Sequence, residues 1–145
     1  MAVTYKNNWK NIITALMSKI KAEMKCPVFS NFDEMNKANQ FIRLMPTGSI
    51  QGDVTAFSEH RTFNINIQYL MIKQNNLQFQ NYVLNQVSIL EALVHDNPTI
   101  SLADSTTAYN LTIGDLDLEV EPEEGFEDYF IAGWDFSCEH LSNLG

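Results

Sequence analysis

Several things are missing from this chain, and each absence excludes something. No stretch of its 145 residues approaches the roughly 20 consecutive apolar residues that a bilayer-spanning helix requires. The N-terminal "MAVTYKNNWKNIITALMSK" holds no uninterrupted apolar run and no small-residue cleavage site, so it does not read as a secretion signal. The expectation is a protein made and kept in a cytosol, or one that leaves by a route needing no signal. Cysteine is scarce. Cys26 and Cys138 are far apart and form no CxxC pair, which favours two free, half-buried thiols in a reducing compartment. Internal repeats, low-complexity segments and linkers are absent.

Positive charge is missing from half of the chain. The formal net charge is -9, which argues against general nucleic-acid binding, because that needs a basic surface. All nine lysines and arginines lie at or before Lys73, where they meet only five acids, Glu23, Asp33, Glu34, Asp53 and Glu59. After Lys73 there are thirteen acids and no lysine or arginine. Such asymmetry fits a solvated surface, copies that meet head to tail, or a wall that must repel an anion.

The residues that carry chemistry form no recognisable constellation. His60, His95 and His140 have no metal-ligand spacing. His95 ends a helical pattern, where an imidazole can meet the last carbonyls. Cys138 and His140 stand two apart on a strand pattern, but no third group is placed to orient a base. "TGSIQGD" has glycines but not the lysine or the order of a phosphate loop. The row Asp115, Asp117, Glu119 and Glu121 is laid out along a strand rather than wrapped around a calcium ion. The expectation is a protein with no catalytic residue, no metal and no cofactor.

What is present is periodicity. Trp9, Ile12, Ile13, Leu16, Met17, Ile20 and Met24 mark an amphipathic helix, capped by Asn7 or Asn8 and ended by Pro27. "PVFSNF" reads as extended, "FIRLMP" as a short strand stopped by its proline, and "TGSIQGDVTAFSEH" as a loop or a long hairpin connection. Phe79, Val83, Val87, Leu90 and Val94 mark a second helix. "TAYNLTIGD" and "DLDLEVEP" alternate as strands, joined by a turn or a bulge at Gly114. "YFIAGWDFSCEHL" is a last strand with Phe130, Ala132, Trp134, Phe136 and Cys138 on one side, followed by a frayed "SNLG". This order predicts a single α+β domain over 1–145, a mostly antiparallel sheet with two main helices packed on one face.

"RTFNINIQYLMIKQNN" gives the sharpest question. Phe63, Ile65, Ile67, Tyr69 and Met71 alternate as a core face. The opposite face carries Asn64, Asn66 and Gln68 and then turns apolar at Leu70 and Ile72. Amides cost far less to desolvate than charges. This face therefore reads either as a surface covered by another subunit or as a mixed face under a neighbouring loop. The first reading makes Asn64, Asn66, Gln68, Leu70 and Ile72 a subunit contact, and an assembly component the leading class.

In "FIRLMPTGSIQGDVTAFSEHRTFNINIQYLMIKQN", a short strand meets a glycine-containing loop, and a long alternating strand starts at Glu59 and Arg61. A helix, a pair of strands, an acidic loop and the aromatic "YFIAGWDFSCEHL" follow. This order resembles that of the tail terminator and head–tail joining (neck) proteins of tailed bacteriophages. The resemblance implies a virion protein, made in the host cytoplasm, that forms a ring, commonly a hexamer. Its implied partners are other copies of itself, the tail tube protein, and the head connector or stopper, with DNA passing through unbound. It implies a partner-contacting loop at 47–58, with Gly48, Gly52 and Asp53. If DNA passes, part of the acidic half should line the channel. The choices are Asp115, Asp117, Glu119 and Glu121 on a strand, or Glu123, Glu124, Glu127 and Asp128 in the loop after it. The alternative is a monomeric small-molecule or peptide-binding α+β domain with its pocket between helix and sheet.

Overall fold

The structure, a computed structural model, describes residues 7–30, 39–55, 57–118, 125 and 127–143. Its elements run α1 (Asn8–Met24), β1 (Val28–Ser30), β2 (Gln40–Val54), β3 (Ser58–Ile72), α2 (Leu77–Asp96), β4 (Thr99–Ser101), β5 (Thr107–Asp117) and β6 (Tyr129–Asn143). The six strands form one sheet in the order β1-β2-β3-β6-β5-β4. Only β1 and β2 run parallel; the other neighbours are antiparallel. The fold is α+β, as the element order predicts.

Both helices begin where a short side chain can satisfy an orphan backbone N–H. The Asn7 side chain accepts from the Lys10 amide at 3.0 Å, and Asn76 accepts from Phe79 at 2.7 Å. α1 stops at Lys25, which takes a left-handed conformation two residues before Pro27. Ile12, Ile13, Leu16, Ile20 and Met24 of α1 and Val83, Val87, Leu90 and Val94 of α2 are buried against a single sheet face. That face presents Ile42 and Leu44, the alternate residues Phe63 to Tyr69, and Ala132, Trp134, Phe136 and Cys138. Trp134 is buried, and its indole N–H donates to Glu91 of α2 at 3.2 Å. The sheet is thus tied to the helix layer by polar contacts, Trp134 to Glu91 and Asn8 to Ser142, as well as by apolar ones.

Three local expectations need correction, and one open alternative is resolved. The strand at "FIRLMP" does not stop at Pro46 but continues to Val54. β1 ends opposite Leu44, so β2 has become an edge strand by Pro46, where a missing N–H is tolerated. The register then shifts between Pro46 and Gly48, leaving Thr47 as the extra residue of a bulge. The supposed loop at 47–58 is therefore mostly one arm of a hairpin, β2 to Val54, and the turn that leads to β3 at Ser58; Gly48, Gly52 and Asp53 lie in β2. Of the turn or bulge expected at Gly114, the bulge holds: Gly114 and Asp115 sit inside one strand, β5, whose register with β6 shifts between Ile113 and Leu116. Lastly, Ser142 and Asn143 are not frayed, because they pair with Glu59 and Ser58.

Candidate assembly surfaces

The second face of β3 divides in two. At one end Leu70 is fully buried, in a cluster with Phe41, Tyr129 and Ile131, against which Phe29 and Ile72 pack. Phe41 meets Tyr129 edge to face at a centroid distance of 5.7 Å. Gln68 is buried too, and its side-chain oxygen accepts a 2.6 Å hydrogen bond from Nη2 of Arg43, its direct cross-strand partner. Gln68 and Leu70 are therefore covered by their own chain and offer no surface to a neighbour, which corrects their place in the expected subunit contact. Asn64, Asn66 and Ile72 remain half-exposed. The Asn66 amide donates to the Trp134 carbonyl at 3.0 Å, spanning to β6. Asn64 borders a shallow polar hollow with Thr112, Gly114, Asp135 and Ser137.

At the other end, β2 and β3 run on as an arm past their last buried side chains, with β6 paired to β3 as far as Ser58. From Gly48 to Val54 it extends about 20 Å at strand rise. Polar pairs hold its two strands together. Arg61 donates from Nε to Glu59 at 2.8 Å and from Nη1 to Ser49 Oγ at 3.0 Å, and Gln51 donates to Glu59 at 3.3 Å. The Arg61 hydrogen bond keeps the Glu59 carboxyl below its ordinary value. The turn is closed by Thr55, whose hydroxyl accepts from the amides of Phe57 and Ser58. Despite this polar frame, Ile50 is 63% exposed, Val54 51% and Phe57 73%. Sequence reasoning named the glycines and Asp53 here and missed these three. The available signal was three apolar residues inside a stretch that otherwise reads as a polar connection.

The outer half of the arm is pinned across three strands. Glu139 on β6 accepts from the Asn110 side chain and contacts His60 Nε2 at 2.7 Å. These hydrogen bonds, Asn110's first, hold its carboxyl below the ordinary value of 4.5. Asn110 reaches Glu139 from a left-handed backbone, a conformation asparagine tolerates better than most residues. His60 in turn needs Gly52, since a Cβ there would sit 2.1 Å from His60 Nδ1.

Beside the arm runs a groove of about 830 Å³ between α1 and the edge of β2. Trp9, Ile13, Met17 and Pro46 give it an apolar floor, with Lys10 and Lys21 on its rim. β1 covers the β2 edge only as far as Leu44, so among the described residues no strand pairs with that edge from Met45 onward.

Of the acids expected in a channel, Asp115, Asp117, Glu127 and Asp128 are exposed, while Glu119, Glu121, Glu123 and Glu124 lie outside the described residues. Cys138 and His140 do share the core face. Burial pushes the Cys138 thiol up to about 12 and the Cys26 thiol up to about 11, and His140 Nε2 meets Thr106 Oγ1 at 2.9 Å. A buried thiol held protonated is a poor nucleophile. Among the described residues no three histidine, cysteine or acidic side chains converge as metal ligands, and no helix is long and apolar enough to cross a membrane.

No family model matches the chain, and no curated protein matches it. Solved structures do. The PVC sheath/tube terminator of an extracellular contractile injection system, in its extended state, matches 98% of this chain with a TM-score of 0.61 and 9% identity. This chain spans 58% of that terminator's length. A second solved chain, whose name records no activity, matches 97% of this chain and 98% of itself, with a TM-score of 0.50 and 14% identity. At such identities the likeness establishes the fold, which is that of a tube terminator.

Proposed function

We propose that this chain is a structural protein that closes the head-proximal end of a phage tail as a ring, commonly a hexamer. There it caps the tail tube and joins it to the head connector or stopper. The observation that carries this reading is the match of nearly the whole chain to a tube terminator. The arm adds support, because a hairpin end with three exposed apolar side chains is a surface that assembly would cover. The role calls for contacts rather than catalysis, so the chain acts without an enzymatic site, metal or cofactor. DNA would pass through the ring unbound, and exposed acids such as Asp115 and Asp117 suit a wall that does not hold a polyanion.

A cap on a growing tube stops its elongation. Particles produced without this chain should carry tubes of uncontrolled length without heads, and supplying the chain should restore fixed lengths. Normal, headed tails in its absence would refute the role. A second reading, a monomeric binder of small molecules or peptides, is favoured by one feature, the apolar groove of about 830 Å³ beside α1. It predicts a monomer at every concentration that retains a ligand in the groove.

A further inference from the structure

We infer that the tip of the β2–β3 arm of one copy seats in the groove between α1 and β2 of the next copy, so that the ring is closed by one repeated head-to-tail contact. This inference rests on the ring reading above.

The two surfaces are complementary in three respects. The tip carries exposed apolar side chains, Val54 and Phe57, and the groove has an apolar floor of Trp9, Ile13, Met17 and Pro46. Between those two side chains and the arm's base, the tip presents Asp53, exposed and without an ion pair among the described residues. The groove rim presents Lys10 and Lys21, exposed and likewise without an ion pair among those residues. The other charges of the arm, Glu59 and Arg61, are already spent on each other. Third, the β2 edge that forms one wall has no strand partner among the described residues, so an incoming extended segment finds backbone as well as side-chain contacts.

The geometry also forbids self-occupancy. Gly48 lines the groove, and the arm runs outward from it, so the tip stands about 20 Å away at strand rise. A patch on one part of a molecule that fits a pocket on another part makes a heterologous contact, which generates a ring when the rotation closes.

The test is a cross-link. Thr14 on the groove side of α1 and Phe57 at the tip are both exposed, so Thr14→Cys and Phe57→Cys should leave the fold intact. The native Cys26 and Cys138 are buried and do not compete. The doubly substituted chain, oxidised across a concentration series, should give a covalent ladder that ends at the ring size found by light scattering. Each single variant should give none. Rings without a ladder would overturn this contact while leaving the ring reading intact. A tip-to-tip dimer from Phe57→Cys alone would overturn it in favour of a two-fold contact. A chain that stays monomeric throughout, even with tube ends added, would overturn both the contact and the ring. As an independent readout, Asp53→Lys should raise the assembly midpoint about tenfold, and Lys10→Asp with Lys21→Asp in the same chain should restore it. Assembly unchanged by Asp53→Lys would contradict the charge match.

Discussion

The same two strands do opposite things at their two ends. Around Phe41–Leu44 and Ile67–Leu70, the β2–β3 pair is buried on both faces, by the helices on one side and the Phe41–Leu70–Tyr129–Ile131 cluster on the other. From Gly48 to Val54 and back to Thr62, the same pair has no fully buried side chain. Backbone pairing runs through both, broken only by register shifts between Pro46 and Gly48 and between Gln51 and Val54. What separates them is burial of apolar side chains, so one end belongs to the fold and the other is left for a partner. Stability should therefore respond to the sealed end, and assembly to the arm.

The largest expected effect comes from placing a charge in the sealed end. Gln68→Lys sets a second cation beside Arg43 in a buried site, at a cost of about 3–5 kcal/mol. Urea denaturation of the isolated chain reads this directly. A variant as stable as the parent would mean that Gln68 is solvated after all. Removing apolar volume from the same end comes next. Leu70→Ala should cost about 3 kcal/mol, since Leu70 is fully buried and its pocket cannot collapse freely. Phe57→Ser on the arm should change stability by less than about 0.5 kcal/mol. Equal losses from the two would erase the distinction between the ends.

This division also explains what could be read from the sequence. The buried stripe of α1, from Ile12 to Met24, was legible because its periodicity is local and one face suffices to define it. So was the inward row Phe63, Ile65, Ile67 and Tyr69. The length of β2 was not, because Pro46 reads as a stop unless one knows that β1 ends before it. Nor was the sealing of Gln68 and Leu70. Their partners Arg43, Phe41, Tyr129 and Ile131 come from distant segments, and only the fold sets them on one face. The switch from amides to Leu70 and Ile72 did signal a cover, but not whether the chain itself or a neighbour supplied it. The groove was invisible for the same reason: Trp9, Ile13 and Met17 read simply as core until the short β1 leaves them open on one side.

Smaller effects belong where the arm is pinned to β5 and β6. Gly52→Ala should push the His60 ring off Glu139 and cost about 1 kcal/mol by overpacking. The pH dependence follows from Glu139. Its carboxyl is held below 4.5 in the fold, so its contribution is present above the unfolded value and is lost as pH falls through the folded one. Acidification through the carboxylate range should loosen the arm's outer half before the sealed end. NMR line positions of Asn110 and His60 would show this, and the effect should shrink in Glu139→Gln. An outer half that loosened only together with global unfolding would count against the pinning role.

The arm is thus reserved for assembly while the sealed end serves the fold. Hydrogen exchange of the backbone amides, compared between the free chain and the assembled tail, tests this division most directly. Amides of Phe41–Leu44 and Ile67–Leu70 should exchange slowly in both states. Those of Gly48–Val54, on the open edge of the sheet, should exchange quickly in the free chain and become protected in the particle. Arm amides that exchange at the same rate in both states would contradict it.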